Sequence, residues 1–315
     1  MRRLAGAGHE VAVFHRGRTG TELPEGVGHF LGDRQRLEDH ADELRSFAPE
    51  VVLDMIPMNA KDARGVVEVF RAVARRIVAI SSEDVYRAYD VVRGLTPGPP
   101  DPVPLSEDAP LRERFYPYER EGIEDYEKIL VERVVMGNRD MAGTVLRLPA
   151  VYGPGDYQHR LFDYVKRMDD GRPAILLGEG MANWRWTHGY VLDVASAIAL
   201  AVTDERAAGR VYNVGEAEPL PWAEWVREIG LSTGWDGKVV AVPDDRLPEH
   251  LDWGLNTEQH WFVDTSRIRR ELGYAEEVPR QEALQRTVAW ERTHPPEKAD
   301  PASFDYAAED AALLI

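Results

Sequence analysis

Short apolar runs separated by amphipathic stretches recur along the first two thirds of this 315-residue chain, and that alternation leaves few folds open. The runs at 10–14, 50–54, 76–80, 143–148 and 210–215 have strand length, with a shorter apolar stretch at 29–31. Between them lie helix-period stretches at 37–47, 60–74, 123–136 and 191–202. Strands that alternate with helices close into an α/β fold with a parallel, doubly wound sheet. After Gly215 the pattern loosens into a helix at 222–233, an extended run at 238–242 and short helices at 265–272 and 280–293. The proline-dense stretch 91–110 reads as loop, and 295–315 as a loose tail.

Chemistry is expected where the run 76–80 meets Ser81, Ser82, Glu83, Asp84, Val85 and Tyr86. In open parallel sheets ligands bind outside the carboxyl ends of the strands, so polar groups just past a strand end face a crevice. The plain reading is a strand-to-loop turn with helix-capping serines. Neighbouring carboxylates in a cleft can be pushed apart in pKa to give one acid and one base. Adjacent side chains at a strand end point to opposite sides, so at most one of Glu83 and Asp84 is expected to face substrate.

Net charge narrows the partners. At −17, with the acids dispersed, the chain disfavours nucleic acid and anionic membrane, and any phosphate needs a local basic pocket. Cysteine is absent, which removes disulfides, thiolate nucleophiles and sulfur-ligated metals, and the nine histidines have no metal-binding spacing. With no run of membrane-span length and no secretory pattern at Met1, the expectation is a cytoplasmic protein with no metal.

Several segments, in order, resemble the extended short-chain dehydrogenase/reductase family, the NAD-dependent epimerase/dehydratase group. They are Ser-Ser-Glu-Asp-Val-Tyr at 81–86, Lys-Ile-Leu-Val-Glu at 128–132, Leu-Arg-Leu-Pro-Ala-Val-Tyr-Gly-Pro-Gly at 146–155, Arg-Trp-Thr-His-Gly-Tyr-Val-Leu-Asp-Val-Ala at 185–195, Tyr-Asn-Val-Gly at 212–215 and the segment 264–273. The resemblance implies a Rossmann-like dinucleotide-binding domain over 1–155 and 186–215, and a smaller substrate domain over 156–185 and 216–294. It also implies a small-molecule substrate of sugar-nucleotide type and a homodimer through the helices near 61–74 and 123–136. On the matching positions, Ser82 orients substrate, Lys128 holds the cofactor ribose, Asp33 meets the adenine edge, and Pro149 and Val151 line the nicotinamide side. Tyr86, Tyr152 and Arg185 face substrate, Arg185 as a phosphate ligand. Trp184 and Trp186 read as packing.

Two departures stand out. The family opens with a strand and a glycine-rich turn that holds the pyrophosphate, whereas Gly6 and Gly8 here end a helix and 10–14 matches the family's second strand. The chain therefore reads as lacking about one strand and half a helix. The family's Tyr-x-x-x-Lys pair shares a helix face, and registering by Lys128 puts Glu124 where the tyrosine belongs. Tyr126 is expected to point well around that helix. Glu124, Lys128 and Glu132 then read as an ion-pair ladder, and Tyr86, Tyr89, Tyr116 and Tyr118 as substitute phenols. Past the second strand, Arg16 and Arg18 stand where NAD-preferring members carry an acid, which favours NADP over NAD. The expectation is an NAD(P)-dependent epimerase/dehydratase-type oxidoreductase in which Ser82, Glu83, Asp84 and Lys128 carry the chemistry. Its rival is a catalytically degenerate binding or regulatory protein on the same fold.

Overall fold

The computed structural model describes residues 1–18 and 23–314. Among them the strands run β1 (Ala12–His15), β2 (Gly28–Leu31), β3 (Val51–Asp54), β4 (Arg76–Ser82), β5 (Ala142–Leu148), β6 (Ala150–Tyr152), β7 (Ala174–Gly178), β8 (His188–Tyr190), β9 (Arg210–Asn213) and β10 (Lys238–Val242). The α-helices are α1 (Arg2–Gly6), α2 (Ala41–Ser46), α3 (Ala60–Phe70), α4 (Arg87–Val92), α5 (Lys128–Gly137), α6 (Phe162–Asp169), α7 (Glu179–Asn183), α8 (Val191–Thr203), α9 (Trp222–Thr233), α10 (Ser266–Leu272), α11 (Arg280–Thr293) and α12 (Tyr306–Leu313). A four-stranded parallel sheet has the order β3–β4–β5–β9, while β1 with β2, β6 with β8 and β7 with β10 form separate parallel pairs.

Residue alternation along β4 explains why helices cover both faces of the larger sheet. Ile77 and Ala79 pack with Val66, Val69 and Phe70 of α3 and Val131 and Val135 of α5. Val78 and Ile80 pack on the opposite face with Val194, Ala197 and Ala201 of α8 and Ile268 and Leu272 of α10. Both faces are apolar, so β4 is buried almost end to end. A third cluster joins Trp184, Trp222, Trp225 and Trp261 to Leu161, Val165 and Ile229, and it holds the irregular part of the chain together.

The parallel sheet is discontinuous between β1 and β3. Both strands are only half-buried apart from Asp54, in contrast to β4. Across the gap Arg34, just after β2, donates to both oxygens of Asp54 at the end of β3, at 2.5 and 2.7 Å.

Two expectations fail. The helix foreseen from 123 starts instead at Lys128, because the Glu127 side chain caps it by accepting from the Ile129 N–H at 2.8 Å. The segment 295–315 is not a loose tail, since α12 docks on α6. The buried Glu309 accepts from Arg167 Nε at 3.0 Å and lies 3.2 Å from His250 Nε2, and Arg167 Nη2 also donates to the Ser303 carbonyl. A buried carboxylate is stable only with such partners, and these three fix the segment.

Candidate active site

β4 ends at Ser82, whose Oγ accepts from the Asp84 N–H at 3.3 Å and so turns the chain into the short helix Glu83–Val85. The turn sends the two acids to different sides. Glu83 accepts from Trp186 Nε1 at 2.6 Å, and its other carboxylate oxygen is buried without a partner. Asp84 accepts at one oxygen from Tyr126 OH at 2.8 Å and from Tyr118 OH at 3.0 Å. Burial raises both carboxyl pKa values, against the Trp186 bond for Glu83 and the Arg112 guanidinium for Asp84. The sequence reading of one acid on each side therefore describes the geometry, and the acid–base pair on a single substrate face does not form.

Tyr126 is the residue that sequence reasoning dismissed. It precedes α5 rather than lying on it, because Glu127 is the cap and Arg112 holds that cap through Nη2 at 3.3 Å. The Tyr126 ring therefore sits 5.4 Å from Lys128 Nζ, and its hydroxyl donates to Asp84 at 2.8 Å close to Ser82, whose side chain favours the phenolate electrostatically. Burial first, and the Asp84 carboxylate second, hold this phenol well above its usual pKa, so it is a protonated group. Lys128 Nζ donates to the Pro57 carbonyl at 2.7 Å and the Ile80 carbonyl at 3.1 Å, and burial lowers its pKa to about 8. Ser82, Tyr126 and Lys128 thus come together despite the altered spacing.

Other expected site residues are elsewhere. Glu124 lies in an exposed turn ahead of α5, and Glu132 pairs with Arg147, so the ion-pair ladder with Lys128 does not form. Tyr86 is fully buried: it donates to Asn213 Oδ1 at 2.6 Å, accepts from Arg147 Nη1 at 2.9 Å, and reaches no crevice. Tyr152 is equally enclosed, donating to Glu216 at 3.0 Å. Arg185 donates Nη1 to the Pro219 carbonyl at 2.7 Å. Arg16, Arg18 and Asp33 are exposed beyond the ends of β1 and β2, where Asp33 also accepts from the Gln35 N–H at 3.0 Å. Pro149 is buried, and the Val151 carbonyl accepts from Arg160 at 2.9 Å.

Two open regions flank this group. At and past the carboxyl ends of β2 and β3, Leu31, Met55, Ile56 and Met58 are exposed apolar side chains, with Ile56 at 62% exposure. On the Glu83 side is a cavity of about 430 Å³, walled by Trp186, His188, Trp222, Trp225, Trp253 and Phe304. His188 stacks on Trp225 with centroids 4.1 Å apart, and burial and Arg160 depress its pKa to about 3, so its ring is neutral.

Comparison with known proteins places these features in context. A family model described as "NAD dependent epimerase/dehydratase family" matches residues 1–215. The chain is 27% identical over 274 residues to the "2'-dehydrokanamycin reductase" of Streptomyces kanamyceticus, covering 85% of this chain and 70% of that protein. It is 32% identical over 151 residues to a "dTDP-glucose 4,6-dehydratase" of Streptomyces griseus, covering 48% of this chain and 43% of the relative. The structure of the Bordetella bronchiseptica enzyme WbmG, solved in complex with NAD and UDP, superposes with a TM-score of 0.66 at 19% identity, covering 93% of this chain and 89% of that one. This likeness establishes the fold.

Proposed function

The chain belongs to the NAD dependent epimerase/dehydratase family, and on that premise we propose that it is an NAD(P)-dependent reductase of a carbonyl group on a small molecule. The observation that carries this reading is the position of the Tyr126 phenol, within reach of Ser82 and Asp84 and beside Lys128. The dinucleotide, when bound, supplies the hydride. The residues present suit its nucleoside parts: the exposed Leu31, Met55, Ile56 and Met58 offer an apolar seat, with Arg16 and Arg18 near it for a 2′-phosphate and Lys128 for a ribose.

The roles of the side chains follow from their states. Ser82 donates to the substrate oxygen and fixes its orientation. Tyr126 transfers its proton to that oxygen as negative charge develops there, and the Lys128 ammonium offsets the phenolate that remains. Asp84 holds the phenol in place together with Tyr118. The relative that aligns over most of the chain carries a reductase name, whereas the dehydratase match covers about half. Elimination of water also needs an acid and a base on one substrate, and Glu83 and Asp84 face different sides.

Titration calorimetry tests the reading. Saturable binding of NADP or NAD is expected, and no heat at millimolar dinucleotide would overturn it. Binding should also weaken as pH rises through about 8, the pKa to which burial brings Lys128, because the ammonium that attracts the dinucleotide is lost there. The sign follows from the cation: below about 8 it is charged and helps, above it is neutral and does not. Lys128→Arg keeps its charge across this range, so its titration should be flat between pH 7 and 9. Equal pH dependence in both proteins would remove Lys128 from the site.

A further inference from the structure

We infer that the cavity beside Glu83 binds a hydroxylated ring that carries no phosphate, and that this ring is the substrate's recognition group. The inference rests on the reductase reading and deepens it. The wall of the cavity touches the catalytic turn directly, because Trp186 lines the cavity and donates to Glu83, the residue after Ser82. The Trp186 ring stacks on Trp261 at 5.2 Å and 11° and lies nearly parallel to Trp222 at 6.2 Å, which holds the indole in place at the wall. At about 430 Å³ the space is in the range of small-molecule pockets, roughly 300–1,000 Å³.

Its chemistry selects among ligands. Indole faces carry negative π density and attract the weakly positive C–H bonds of a saturated ring, so Trp253, half-exposed at the cavity and packed edge-on against the buried Trp222, suits stacking on a sugar or cyclitol. The polar groups of the wall suit hydroxyls: neutral His188, Gln158, and Asp163, which makes no hydrogen bond or ion pair through its carboxylate among the described residues. A diphosphate needs clustered guanidinium or ammonium groups. Two cations line the cavity, and Arg160 is already engaged by Asp156 at 2.7 Å and the Val151 carbonyl at 2.9 Å. The other, Lys298, is exposed on the C-terminal segment and is accompanied by the acids Asp163 and Asp300. Arg185, the phosphate ligand expected from the sequence, is not part of the wall. The outer wall comes from the segment that ends at Phe304, pinned by Arg167 at Ser303 and Glu309.

Tryptophan fluorescence reads the cavity directly. Kanamycin and methyl glucoside serve as phosphate-free rings, and UDP-glucose as the nucleotide sugar. Saturable quenching by a phosphate-free ring at concentrations where UDP-glucose gives none is expected. Trp253→Ala, at a half-exposed position that does not support the core, should weaken that binding about tenfold while leaving the NADP titration unchanged. Phe304→Ala should act in the same direction. Tighter binding of UDP-glucose, quenching by none of the rings, or unaltered ring binding in both variants would overturn the inference. If UDP-glucose binds and NADP still titrates, the reductase reading stands and only the ligand class falls. If a phosphate-free ring binds and no dinucleotide does, the converse holds.

Discussion

Tyr126→Phe should reduce the turnover of a carbonyl probe such as phenanthrenequinone by about 10²–10⁴-fold, the usual worth of a positioned proton donor, with NADPH consumption as the readout. The variant keeps the ring that packs against Tyr118 at 5.1 Å and lies over Lys128, so it should fold and bind dinucleotide as the parent does. Only the hydroxyl between Ser82 and Asp84 is lost. Glu124→Gln is the matching control: its side chain is exposed in a turn, and turnover should stay within about twofold, as for surface changes of this kind. A large loss in Glu124→Gln with Tyr126→Phe unaffected would restore the helix register read from sequence and remove Tyr126 from the chemistry.

The second large effect is on stability. Arg147, from β5, donates Nε and Nη2 to the two oxygens of Glu132 at 2.9 and 2.8 Å, and Nη1 to Tyr86 OH and the Glu107 carbonyl, both at 2.9 Å. Ser81 Oγ donates to the same Glu132 at 2.6 Å. Arg147→Met leaves a buried carboxylate with only the serine, and breaking a buried pair in this way costs about 3–5 kcal/mol. A lowered urea midpoint at unchanged slope is the expected observation. The double variant Arg147→Met with Glu132→Leu should recover most of the loss, since no charge is left stranded. Failure to recover would mean that Arg147 stabilises through Tyr86 and Glu107 instead.

The sheet was legible because its signal is carried by many residues at once. Val78 and Ile80 on one face and Ile77 and Ala79 on the other give a continuous apolar run, which only a strand covered on both sides requires. The start of α5 was not legible because a single residue decides it. Glutamate is a good helix former and an uncommon cap, so the pattern extended the helix to 123. The feature that makes Glu127 a cap, the buried Arg112 bound to it, lies 15 positions earlier in a loop. That one displaced boundary hid Tyr126 and promoted Glu124. Ser82 and Lys128 were singled out by the family resemblance, and the structure brings both to the same strand end, where Lys128 Nζ donates to the Ile80 carbonyl at 3.1 Å. Tyr86, Tyr152 and Arg185 were misread for a different reason: their types suit a crevice, yet their partners Asn213, Glu216 and Pro219 come from distant stretches that no local pattern brings together. The docked C-terminal segment likewise depends on Glu309 meeting Arg167 and His250.

The bidentate contact between Arg34 and Asp54 has a mechanical meaning. A backbone ladder resists sliding along its whole length, whereas this pair fastens the β1–β2 ribbon to β3 at one point near the carboxyl ends. Side chains rather than a ladder make up the rest of the joint: Arg34 Nε faces Asp62 at 3.6 Å, Arg45 Nε donates to the Val69 carbonyl at 2.8 Å, and Phe14, Phe30, Leu37 and Leu44 share a cluster with Val66 and Val69. Leu31 and Ile56 lie on either side of the joint. A molecule that grips both sides acts as a brace across it.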